Sequence, residues 1–95
     1  MKLTITSRHF KAGEELESLV RDALEHVRSF HDSIIGADVV LERTSGACSA
    51  EFVLKLNGKT LVAKETAEDF FKAIHGAREA LVRQVRKLKT KEHRW

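Results

Sequence analysis

The 95-residue sequence predicts an α+β domain of order β-α-β-β-β-α. This is a two-layer sandwich in which two helices cover one face of a four-stranded, mostly antiparallel sheet. Three observations predict it. Runs at residues 2–6, 37–43, 50–56 and 59–64 alternate apolar and polar side chains with the period of half-buried strands. Two longer stretches, from Glu14 to about His31 and from Thr66 to about Lys91, repeat apolar residues every three or four positions, as amphipathic helices do. Between the last two alternating runs stands Asn57-Gly58, a preferred pair for a two-residue hairpin turn.

The opening run sets Leu3 and Ile5 on one face and Lys2, Thr4 and Thr6 on the other. The first helix carries the stripe Leu16, Leu19, Val20, Ala23, Leu24, Val27 and Phe30. Gly13 falls at its N-cap, and Glu14, Glu15 and Glu17 suit the positive end of the helix dipole. In the second strand Val39 and Leu41 point inward, and residues 44–49, with Cys48 among them, read as a loop. A type I′ turn at Asn57-Gly58 would pair Leu56 with Lys59, Leu54 with Leu61 and Phe52 with Ala63 on an apolar face. Lys55 with Thr60 and Val53 with Val62 then fall on a mixed face, so the helices cover one side only. Thr66 and Asp69 form a variant of the capping box at the start of the second helix. Its stripe is Phe70, Phe71, Ile74, Ala77, Leu81, Val85 and Leu88. A right-handed crossover through the first helix allows the first two strands to be parallel.

One core is within reach of a chain this long without staples. The single Cys48 forms no internal disulfide, which points to a reducing compartment, the cytoplasm. There is no apolar run of membrane-spanning length, and "MKLTITSRHF" lacks the apolar block of a signal peptide. With no proline, repeat or linker, residues 1–95 are expected to form one domain and the whole mature protein.

Catalysis finds no footing in the residues. Cys48 has no neighbouring helix start or histidine to activate it. His9, His26, His31, His75 and His93 contain no H-x-x-x-H pair for zinc and read as surface or rim residues. Neither a G-x-x-x-x-G-K-[ST] nor a G-x-G-x-x-G phosphate loop occurs, so no cofactor or metal is expected.

Charge is more informative. The net value of +3 hides a polarised chain: Glu14 to Ser33 has six acids against two bases, and Arg78 to Trp95 has seven bases against two acids. On a helical wheel with Leu81 at zero, Arg86, Arg83, Arg94 and Lys87 lie about 140°, 200°, 220° and 240° around, away from the core. Seven bases exceed what the last turn of a helix uses to complement its dipole. A rigid row of Arg and Lys suits RNA phosphates. No aromatic stands on the outer face of the sheet to stack bases, so backbone shape rather than sequence would be recognised. The layout also fits double-stranded-RNA-binding domains, but those meet phosphates at the start of their last helix, and here that start, "TAEDFFKA", is acidic. Trp95 reads as a tail residue.

The sequence as a whole resembles the ribosome hibernation-promoting factor family, also called ribosome-associated inhibitor A, protein Y or sigma-54 modulation proteins. The resemblance rests on "LTITSRHF", "EELESLVRDALEHVRSF", the Asn-Gly hairpin and "EDFFKAIHGAREALVRQVRKLKTK". The last segment is similar to the family's D-x-Y-x-A-I-D followed by L-x-R-Q-L-x-K-x-K-x-K, matched at Asp69, Ala73, Ile74, Leu81, Arg83, Gln84, Lys87, Lys89 and Lys91. Phe71 and His75 replace the usual Tyr and Asp, Gly13 stands where Thr is common, and Ala23, His26 and Ala80 replace frequent lysines.

The resemblance implies a short-form, non-enzymatic factor without the C-terminal dimerisation domain or acidic tail. Such a factor binds 16S rRNA in the decoding channel of the small ribosomal subunit, blocks mRNA and tRNA, and promotes hibernation, with a separate ribosome modulation factor as a candidate partner. The expected RNA contacts are Arg83, Arg86, Lys87, Lys89 and Lys91, with Arg78, Lys72, Arg21 and Arg28 at the rim. The protein is expected to be monomeric off the ribosome and to have no membrane partner. The alternatives are a module for an acidic protein partner, as in sigma-54-type transcription modulation, and a general double-stranded RNA binder.

Overall fold

The computed structural model describes residues 1–31 and 33–92, with side chains through 88. The elements follow the expected order: β1 (Lys2–Arg8), α1 (Glu14–Arg28), β2 (Ile34–Thr44), β3 (Ala47–Leu56), β4 (Lys59–Ala67) and α2 (Phe70–Glu92). They form one sheet of order β1-β2-β3-β4, with β1 parallel to β2 and the other pairs antiparallel. The β3–β4 register is the one the alternation predicts, including Leu56–Lys59, Leu54–Leu61 and Phe52–Ala63.

Four local expectations are corrected. Both hairpin turns, Ser45-Gly46 and Asn57-Gly58, place only the glycine at positive φ, +73° and +77°. A type I′ turn needs positive φ at both central residues, so Asn57-Gly58 has instead the sign pattern of a type II turn. Residues 44–49 are not a loop: β2 and β3 pair right up to Thr44 and Ala47, and Cys48 is a buried strand residue. The Ser/Thr/Gly cluster suggested a longer loop, but the turn needs only two of its residues. Thr66 lies within β4, and the cap is Asp69, whose Oδ1 accepts the Lys72 N–H at 2.8 Å. Substituting Asp69 with Ala is expected to cost about 1 kcal/mol, lowering the melting temperature by about 4–8 °C in a calorimetric scan. Finally, Phe71 is 51% exposed and leaves the stripe, while Val82 is buried.

The core lies between the sheet and both helices. Val39, Leu41, Phe52 and Leu54 meet Val20, Leu24 and Val27 of α1 and Ile74, Leu81 and Val85 of α2 in one cluster. No polar residue is buried among those described, so core formation carries no unpaired desolvation cost. Gly13 caps α1 in extended conformation without a side-chain bond.

The strand directions determine how the helices run. β1 and β4 finish at the same end of the sheet, and α1 returns from there to the start of β2. Gly76 stands against Glu65 and the later Gln84 against the earlier Val62, so α2 also runs back along β4. The helices are therefore parallel, with Phe10 and Phe70 stacked 4.5 Å apart near their starts. At 23 residues against 15, α2 is the longer by about two turns.

Candidate nucleic-acid interface

The outward face of α2 is set by the way the helix is fastened. Leu81 and Val85 are fully buried against the sheet. On one flank, a Cβ at position 76 would meet Glu65 Cγ at 2.6 Å, so glycine permits a close approach of helix and strand. One further contact lies eight residues on, where Gln84 Nε2 donates to Val62 O at 2.9 Å. Leu61 and Ala63 flank Val62 in the hairpin register, and the alternation of the ladder points the Val62 carbonyl off the edge. Gln84 therefore fills an acceptor that the sheet leaves open and covers part of the β4 edge. With that flank held and Leu81 inside, Arg83, Arg86 and Lys87 are exposed, as the wheel predicts. Together with Ala80 and Gln84 they line an open concavity of about 550 Å³.

Ion pairing divides the predicted contact residues. Lys72 is bonded to Glu68 one turn before it. Arg78 lies 3.2 Å from Glu79 and is only partly exposed, and its Nη2 also donates to His75 Nδ1 at 3.2 Å. On α1, Arg21 pairs with Glu17 at 3.7 Å and Arg28 with Glu25 at 3.4 Å. Each of these exposed pairs contributes little to stability, but each sets a carboxylate beside the cation. Among the described residues, neither Arg83 nor Lys87 has such a partner.

The structure does not gather all nine predicted residues into one patch. Lys72 precedes Arg83 by about 16 Å of helix, and Arg21 and Arg28 belong to α1. The Lys89 and Lys91 side chains, with Arg94 and Trp95, lie outside the described residues. One cation was missed by the wheel. Lys59, exposed at the start of β4, shares a small pocket with Leu88 of α2. The signal was available in the element order, because a helix running back along β4 must end beside the first residues of that strand.

Among the described residues, no group of three or more His, Cys, Asp or Glu side chains could hold a metal ion. No described helix is long and apolar enough to cross a membrane. Residues 3–93 match the family described as sigma 54 modulation protein / S30EA ribosomal protein. The chain belongs to this family. A ribosome hibernation promoting factor of Pseudomonas putida is 28% identical over 92 residues, which are 97% of this chain and 90% of that protein. Two solved structures share the fold. A ribosomal subunit interface protein from Coxiella burnetii has a TM-score of 0.88 at 20% identity, covering 95% of this chain and 99% of that one. The N-terminal domain of Thermus thermophilus Protein Y has a TM-score of 0.86 at 24% identity, covering 93% and 99%.

Within this sigma 54 modulation / S30EA family chain, the L-x-R-Q run divides into separate tasks. Leu81 is core, Gln84 ties the helix to β4, and Arg83 faces solvent. The departures divide as well. Ala23 is 5% exposed, so a lysine there would have to thread its stem out between packed side chains. His26 is exposed and edge-on to Phe30, and Ala80 lines the α2 concavity.

Proposed function

We propose that this protein is a non-enzymatic, cytoplasmic ribosome-associated factor that promotes hibernation by binding 16S rRNA in the decoding channel of the small subunit. Bound there, it blocks mRNA and tRNA. The observation that carries this reading is the pair Arg83 and Lys87, presented without carboxylate partners among the described residues on a helix of a family whose description includes a ribosomal protein. The name of the P. putida relative supports the hibernation role. A helix fastened by Leu81 and Gln84 holds the backbone beneath its cations in place before binding, so only the side chains remain to be ordered. Arg83, Arg86 and Lys87, with Lys89 and Lys91 continuing the row, displace the counterions condensed on the RNA phosphates they meet. Lys72, Arg78, Arg21 and Arg28 act as rim contacts that first exchange an acidic neighbour for phosphate. The protein works as a monomer off the ribosome, and a separate modulation factor is a candidate second partner.

Co-sedimentation with small ribosomal subunits tests the reading. Binding is expected at low salt and is expected to be displaced by saturating tRNA and mRNA. With about five phosphate contacts, affinity should fall about 500-fold between 50 and 200 mM salt. The other half of the family description, sigma 54 modulation, favours a second reading, an acidic protein partner. Absence of subunit binding, or affinity that salt barely changes, would favour that partner.

A further inference from the structure

We infer that the concavity on α2 seats one ribose of the RNA backbone on Ala80, with Arg83 and Lys87 taking the phosphates on either side of it, so that the smallness of residue 80 sets how closely RNA approaches the helix. This inference rests on the ribosome-binding reading above. Ala80, Arg83, Gln84 and Lys87 follow the i, i+3, i+4, i+7 spacing that places residues on one helix face. Of these only Ala80 ends at its Cβ, so the row has a dent where the other three project. The Ala80 methyl is partly buried and packed against the core, which makes the floor of the dent firm. Gln84 forms the wall on the strand side, held there by its hydrogen bond to Val62 O. Arg83 and Lys87 are exposed on the open side.

The lining selects the occupant. Arg83 and Lys87 carry hydrogen-bond donors and no acceptor, which suits phosphate oxygens. Neither has a carboxylate partner among the described residues. Four residues apart on a helix, their Cβ atoms lie about 6 Å from each other, a spacing over which each can take one of two successive phosphates of a strand. Between them, the methyl floor suits the C–H face of a ribose. The described lining residues include no aromatic ring, so a base has nothing there to stack on. Arg86 lines the concavity as well, but it already has another partner, and the grip is assigned without it. Two carboxylates lie toward the other end of the row: Glu65 stands against Gly76, one turn before Ala80, and Glu79 is engaged with Arg78. They direct the phosphates toward the Arg83 and Lys87 end of the dent.

The test measures affinity for purified small ribosomal subunits, and its salt dependence, in Ala80→Ser, Ala80→Leu and Ala80→Lys. Ala80→Ser keeps the dent open and should bind within about twofold of the parent. Ala80→Leu fills it without altering charge. It should lose one to two phosphate contacts, binding about 8- to 60-fold more weakly at 100 mM salt, with the slope of log affinity against log salt smaller by about 1–2. Ala80→Lys separates shape from charge. On a face that acted by charge alone the added cation would tighten binding about eightfold at 100 mM and steepen the slope by about 1, whereas a filled dent gives no gain. All three should melt within about 4 °C of the parent, and Ala80→Gln repeats the neutral filling if Ala80→Leu melts earlier. Parent-like binding by the neutral filled variant, weaker binding with an unchanged slope, or tighter binding by Ala80→Lys would each overturn the seat at Ala80. The α2 reading would stand in all three cases as long as Arg83→Glu/Lys87→Glu still abolishes binding. If the parent protein does not bind subunits at all, both fall together.

Discussion

Replacing Arg83 and Lys87 together with glutamate is expected to weaken binding to the small ribosomal subunit by more than about 100-fold at 100 mM salt. Each lost phosphate contact accounts for about eightfold there, and each new carboxylate adds repulsion. The same variant should melt within about 2 °C of the parent, because both side chains are exposed and make no ion pair among the described residues. Sedimentation binding and calorimetry on one preparation check both halves. A fall in melting temperature would mean that these side chains support the helix, and unchanged binding would remove α2 as the contact surface.

The opposite dissociation is expected from Phe52→Ala. Phe52 is the largest fully buried side chain, central in β3 and opposite Ala63. Its truncation should cost about 3–5 kcal/mol, a large share of the roughly 5–15 kcal/mol that keeps a domain folded. The midpoint of thermal unfolding should drop by about 15–30 °C. Below that midpoint the cationic face is untouched, so subunit affinity should stay close to that of the parent.

These two variants also mark what was legible in the sequence. Phe52, Leu54, Leu61 and Ala63 could be paired residue by residue, because a strand has a period of two and a short turn leaves little freedom of register. The exposure of Arg83, Arg86 and Lys87 followed from the 3.6-residue period once Leu81 was placed inside. The errors arose where two residues could do one job or where tertiary contacts decided. Thr66 and Asp69 are both good caps, and pairing with Ser49 of β3 drew Thr66 into the sheet. Phe71 reads as core by hydrophobicity, yet the rotation set by Leu81 and Val85 turns it outward. Pairing by Glu17, Glu25 and Glu68 is local and could have been read from helical spacing, whereas that spacing offers Glu79 to Arg83, four residues on, and only the structure gives it to Arg78. Lys59 was out of reach of a wheel, which treats one helix at a time.

The parallel run of α1 and α2 has a kinetic consequence. Their positive ends coincide, and Glu14, Glu15, Glu68 and Asp69 collect there, while Lys59, Arg83, Arg86 and Lys87 lie toward the opposite end. Side-chain charge and position thus give the molecule a permanent dipole along its helices. In the field of an RNA cleft such a body is turned before it arrives, cationic end leading and acidic end trailing. Productive encounters then form a larger fraction of collisions than random orientation would allow, and ionic strength governs the association rate through torque as well as attraction.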